Sequence, residues 1–246
     1  QVPKDRNATT REWFVNRLKR MLLLLLLVTT QMAVSDGTKK DKSLAVGVVG
    51  DYTIHPMLAE SITDKSVTAL VNWPLASKDQ NWAWRCRLCV DIPTKANKGI
   101  ALFEENDIAK MRVRFRIQEK AKWGDGTPVD GHDVKFSLNL ARRLGLPLDA
   151  KALLKQIERI DVAAKEPKSI AITFRSRPFD FMNIANVGVL PAHLEAAPAA
   201  SSENLDEYQN KTKYLRMIRS LYNGPYFVSH RGRHITLRAN PYFMGK

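Results

Sequence analysis

An α/β fold is what the residues predict, and three observations carry the prediction. Short β-branched or alternating runs, such as Ser43–Val49 and Met111–Ile117, read as strands. Apolar-periodic stretches with start and stop residues, above all Asp130 to Gly145, read as helices between them. A chain of 246 residues with 44% in the AVILMFWYC set and 26% charged can bury one large core or two small ones. Disordered, collagen-like and knottin-like chains are thereby excluded.

Taken in order, residues 1–20 form a basic stretch ending in Arg17, Lys19 and Arg20. Met21–Val28 (MLLLLLLV) follows and runs on through Val34, giving 14 residues without a charge before Ser35, Asp36 and Gly37. This is the layout of an export signal. It falls short of the roughly 20 residues a spanning helix wants, although Trp13, Phe14, Val15 and Leu18 extend the apolar character backwards. Ala33-Val34-Ser35 suits cleavage before Asp36, so a cleaved signal and a retained anchor both stay open. The expectation carried forward is the anchor: a hydrophobic helix at 21–35 whose residues 21–34 lie in the lipid bilayer. Leucine on every face of two turns leaves no polar stripe for a soluble helix. The basic flank then places residues 1–20 in the cytoplasm and residues 36 onward outside it. No cysteine follows the apolar run, so a lipoprotein anchor is excluded.

In the remainder, Pro56 suits the first position of a helix carrying Met57, Leu58, Ile62, Val67, Leu70 and Val71. Trp73, Trp82 and Trp84 mark an aromatic-rich loop region able to stack on a ligand or a partner, with packing as the plainer use. Met111, Val113, Phe115 and Ile117 alternate with Arg112, Arg114 and Arg116, so the arginines read as the wet face of a half-buried strand. Lys122–Pro128 (KWGDGTP) is dense turn chemistry, and Asp130 caps a helix with Asp133 in its first turn. A brief helix at Lys151–Glu158 precedes a hairpin of Ile160–Ala164 and Ile170–Phe174 about Lys165–Ser169. Leu190–Leu194 opens a short helix, Ala196–Ser202 reads as a loop, and Lys213–Leu221 as a helix. Tyr226–Ser229 and His234–Arg238 form a last hairpin.

Cys86 and Cys89, spaced Cys-Arg-Leu-Cys, are the only cysteines. Outside the cytoplasm a local disulfide is the simplest reading; two thiols, or a redox or metal pair, are the alternatives. Zinc would need further ligands, and no histidine follows before His132. His230 and His234 would pair on a helix, but Arg231-Gly232-Arg233 between them reads as a hairpin turn. No phosphate loop, no His-Glu-x-x-His and no catalytic set is found, so neither an enzyme nor a cofactor is expected. The 39 basic against 25 acidic residues give a net charge of +14. Residues 1–42 hold nine basic and four acidic of these, and the rest is spread without a long run, so nucleic acid is not expected as a partner.

Four stretches together resemble one family, the extracytoplasmic solute-binding proteins of family 5, which serve peptide, dipeptide and nickel ABC importers. They are Leu44–Val48 with His55–Ala59, where His55 replaces the usual aspartate; Lys122–Val129 with Asp133–Ser137; Leu190–Leu194; and Asn223–Tyr226 with Arg238–Phe243 and Gly245. The resemblance implies a type II periplasmic-binding-protein-like lobe with a mixed sheet and an inserted subdomain. It covers the N-terminal portion of such a protein, so residues 36–246 are expected to be a first lobe and subdomain with the second lobe absent. A solute receptor handing peptide-like cargo to a membrane permease is the function it implies, with peptide bound only if a second lobe exists. The alternative is a membrane-anchored accessory subunit built on a shortened lobe, docked on other membrane-complex subunits.

Overall fold

The computed structural model describes residues 53–146, 150–213, 221–231 and 235–245. The expected tail 1–20, apolar helix 21–35 and strand Ser43–Val49 lie outside these residues, as does nearly all of Lys213–Leu221. Among the described residues no helix is long and apolar enough to cross a membrane.

Helix α1 spans Ile62–Val71 and starts later than Pro56 suggested. Ser61 and Asp64 form a reciprocal capping box that satisfies the first backbone donors, a stronger start than a proline alone. Its inward side is Val67 and Val71, whereas Ile62 is 86% and Leu70 43% exposed, so two of the apolar residues expected on this helix face water. Strands β1 (Ala76–Lys78) and β2 (Trp84–Cys86) then pair antiparallel, giving structure to what read as a loop region.

The main sheet holds β3 (Ile100–Glu105), β4 (Ile108–Arg116), β5 (Ile157–Ala163) and β6 (Glu166–Phe174) in the order β3-β4-β6-β5. All strand pairings among the described residues are antiparallel. The alternation in β4 is realised: Met111, Val113 and Phe115 are buried, as is Ile117 just beyond the strand. The arginine face lies outward, with Arg116 at 3.3 Å from Asp91 and Arg112 over the Phe103 ring. Helix α2 (Gly131–Leu144) lies on β5 and β6 through Val134, Leu138 and Ala141, its ends set by the Asp130 cap and by Gly145 at φ 61. Burying Val134 and Leu138 contributes about 1.5–3 kcal/mol each.

Three boundaries shift. Helix α3 (Lys151–Lys155) ends before Glu158, because Ile157 and Ile160 are buried in β5. The β5–β6 turn is Ala164-Lys165, and Glu166 to Ser169 extend β6. The loop expected at Ala196–Ser202 is mostly helix: α4 covers Ala192–Ala200 with Pro198 inside, since alanine's helix preference outweighs one lost donor. A further helix, α5 (Leu205–Thr212), is started by Asn204, whose side chain accepts from the Glu207 N–H. Strands β7 (Tyr226–Arg231) and β8 (Ile235–Ala239) form the expected hairpin. A second small core joins them to α1 through Val67, Val71, Tyr222 and Val228.

A candidate ligand cleft

The outer side of α1, the segment Asn72–Ser77, Arg87 and the 3-10 turn Phe181–Asn186 with Val187 and Gly188 enclose a cleft of about 620 Å³. Three close approaches shape it. Gly188 lies so near Pro56 that a Cβ there would come within 2.6 Å of the proline Cβ, so only glycine lets these two wall segments touch. Gly224 likewise meets the last turn of α1, where a Cβ would sit 2.6 Å from the Val71 carbonyl carbon. Next to it, Asn223 grips the Trp73 backbone from both sides. Its Oδ1 accepts the Trp73 N–H at 2.7 Å and its Nδ2 donates to the Trp73 carbonyl at 3.2 Å.

Trp73 is thereby fixed on the cleft wall, its ring edge-on to Phe243 at 4.7 Å and carrying the Arg87 guanidinium at 5.4 Å. Arg87 is aimed by its surroundings. Its Nε donates to Ser77 Oγ at 2.8 Å, and the backbone N–H groups of Arg87, Leu88 and Cys89 converge on the Leu75 carbonyl. Cys86 and Cys89 are joined in the structure, with Cα atoms 5.0 Å apart, so Arg87 projects from a four-residue ring. The helix side of the cleft is polar: Lys65, Thr68 and Asn72 face it, with Glu60 at the far end.

Of the three tryptophans singled out by sequence, only Trp73 is part of this lining. Trp84 is half-buried against the main core and Trp82 is 77% exposed at a φ of 59, both on the β1–β2 hairpin. Lys78 Nζ lies between them, 5.2 Å from one ring and 5.3 Å from the other. Thr68, Asn72, Arg87, Gly188 and Asn223 were not assigned to a site from sequence. Arg87 stood inside the Cys-x-x-Cys spacing and Asn223 inside the Asn-Gly-Pro-Tyr stretch, and those were the available signals.

Behind the cleft, the other motif residues hold the scaffold. Asp133 accepts from Trp123 Nε1 at 3.0 Å, from the Asp130 N–H at 3.1 Å and from the Ala192 N–H at 2.8 Å. One carboxylate thus ties the Lys122–Val129 turn, the start of α2 and the start of α4 together. Burial pushes that carboxyl above the usual range, against the pull of its three donors. Asp125 meets His193 at 3.0 Å, joining the same turn to α4 a second time. Burial works to raise the Asp125 carboxyl, but the Thr127 N–H and His193 outweigh it and hold it below the usual range. Tyr242 packs on Gly126, whose φ is +91, so the C-terminal motif also reaches this turn. His55 Nδ1 accepts the Met57 N–H at 3.1 Å, which leaves Nε2 to carry the ring proton toward Tyr208 Oη at 3.3 Å. Tyr208 in turn donates to Glu195 in the buried interior. Among the described residues no group of three His, Cys, Asp or Glu side chains could hold a metal ion.

Residues 53–246 match the model of the bacterial extracellular solute-binding proteins, family 5 middle. A Brucella melitensis chain described as a binding protein is 27% identical over 218 residues, which is 86% of this chain and 32% of that protein. This chain therefore spans about a third of the length of the curated relatives it matches. The oligopeptide-binding protein of Thermus thermophilus, solved with a pentapeptide, aligns with a TM-score of 0.62 at 16% identity, over 77% of this chain and 35% of that one. The Campylobacter jejuni protein solved with nickel and L-histidine aligns at 0.55 and 17% identity, over 78% and 34%. The Bacillus subtilis oligopeptide-binding protein solved with a nonapeptide aligns at 0.56 and 12%, over 78% and 36%. At these identities the structural likeness establishes the fold.

Proposed function

The chain belongs to the bacterial extracellular solute-binding proteins of family 5, and from that premise we propose that it contributes the cargo-contacting face of a receptor that hands peptide-like solutes to the permease of an ABC importer. The observation that carries this reading is the cleft of about 620 Å³ walled by Trp73, Arg87, Thr68 and Asn72. Its size falls within the roughly 300–1,000 Å³ of sites that take small ligands, and its lining sets the one aromatic ring of Trp73 among polar and charged side chains able to hydrogen-bond a polar cargo. The peptide-like class is supported by the ligands of the Thermus and Bacillus proteins that share the fold.

Residues 36–246 then act as one receptor face, reached outside the cytoplasm, with residues 21–35 as the export or anchor segment and residues 1–20 as its basic cytoplasmic flank. Cargo is gripped when a second surface closes over the cleft, and closure is what the permease reads. One face alone leaves half of the cargo in water. Hydrogen bonds made there net only about 0.5–1.5 kcal/mol each, against an association cost of at least about 4 kcal/mol. Calorimetric titration with a pool of di- to pentapeptides tests both statements. The protein at its native length binds at about 10 μM or tighter, and residues 36–246 on their own bind more weakly than that. Failure of the native protein to bind any of the pool would overturn the reading.

A further inference from the structure

Resting on the receptor reading above, we infer that this cleft selects cargo carrying a carboxylate beside an N–H donor, as at the C-terminal end of a peptide or in an N-acylated amino acid. Arg87 is the recognition group. Its Nε is spent on Ser77 and its flat face on Trp73, while Nη1 and Nη2 make no hydrogen bond or ion pair among the described residues. Those two nitrogens form the fork that takes a carboxylate bidentately. A guanidinium held at one edge and one face keeps little freedom to lose when the third side is engaged. The four-residue ring closed by Cys86 and Cys89 fixes the backbone from which it projects.

The helix wall beside Arg87 supplies the second half of the specificity. Thr68 Oγ1 and Asn72 Oδ1 are shut off from water and have no hydrogen-bond partner among the described residues. Thr68 and Asn72 are 7% and 4% exposed and both line the cleft, Thr68 in the last turn of α1 and Asn72 as its C-cap. An unpaired buried oxygen is costly, so the resting cleft carries a deficit that an entering N–H donor removes.

The test compares three probes on the native-length protein by calorimetry: a tripeptide pool with free C-terminal carboxylates, the same pool amidated, and a pool of N-acetyl amino acids. The free acids bind about tenfold or more tightly than the amides, the step expected of a charge-assisted hydrogen-bonded pair. Arg87→Gln abolishes the preference for the free acids over the amides, and Arg87→Lys, which keeps the charge but not the fork, falls between. Thr68→Val weakens cargo binding yet leaves the unfolding midpoint unchanged or higher, because it deletes an unsatisfied group; a lower midpoint with unchanged affinity would remove Thr68 from the site. Equal binding of acid and amide by the unaltered protein overturns the inference and leaves the peptide-receptor reading standing. Binding of the N-acetyl amino acids through Arg87, with neither peptide pool bound, does the reverse. Binding of none of the three overturns both.

Discussion

Replacing Asn223 by alanine should loosen the cleft wall from behind. The asparagine is 2% exposed, and its amide satisfies both backbone groups of Trp73, at 2.7 and 3.2 Å. Alanine leaves an N–H and a carbonyl without partners. Each such group costs about 1–3 kcal/mol when fully buried. Because Trp73 is half-buried, water recovers part of this, and the expected loss is about 2–4 kcal/mol for the pair. For a chain of this size each kcal/mol moves the unfolding midpoint by about 2–4 °C, so the variant should melt about 4–16 °C lower. Thermal unfolding followed by tryptophan fluorescence reads the shift and the altered Trp73 surroundings together. Asn223→Asp keeps the acceptor for the Trp73 N–H but sets a carboxylate against its carbonyl, and should lose as much. A midpoint within about 1 °C of the unaltered protein for both variants would refute the argument that Asn223 holds Trp73.

Three other outcomes follow from features already described. Asp125 is held below its usual range, so its ionised form stabilises the fold above the unfolded value of about 3.9, and that contribution disappears as pH falls through the lower folded value. The stability gap between the unaltered protein and Asp125→Asn, from urea titrations, should therefore be wide at pH 5 and narrow at pH 3; a gap independent of pH would sink the assignment. Cys86 and Cys89 should resist thiol labelling in unreduced protein, and stoichiometric zinc in the purified sample would contradict this. The apolar run 21–34 should remain attached to the exported protein, an expectation that mass-spectrometric detection of a mature terminus at Asp36 would end.

What was legible in the sequence was local. The Asp130 cap, the Gly145 stop, the alternation of β4 and the β7–β8 hairpin each show their cause within about four residues, so propensity and period sufficed. Misplaced boundaries arose where two local rules competed: Pro56 against the Ser61 capping box, and Pro198 against an alanine run. The cleft was hidden for another reason. Trp73 could be flagged as a large aromatic, but its support comes from Asn223 and Phe243 and its charge from Arg87, and no periodicity links those positions. Arg87 was visible only as filler between two cysteines. The solute-binding motifs pointed to the family, yet in the structure Asp133, Asp125 and Tyr242 brace the Lys122–Val129 turn and the starts of α2 and α4, so the resemblance identified the scaffold and not the lining of the cleft.

The bond between Asn223 and Trp73 closes a loop of 150 positions. During synthesis at about 5–20 residues per second, Trp73 therefore waits on the order of 8–30 s before its clamp has been made. Until then α1 lacks Tyr222 and Val228, and Trp73 has neither Asn223 beneath it nor Phe243 beside it. The main sheet has all its strands by residue 174 and can condense early, whereas the cleft wall at Trp73 is completed only after residue 223. A nascent chain consequently passes through a stage with a formed sheet and an unfinished cleft wall, which is completed only when the β7–β8 hairpin has docked on α1.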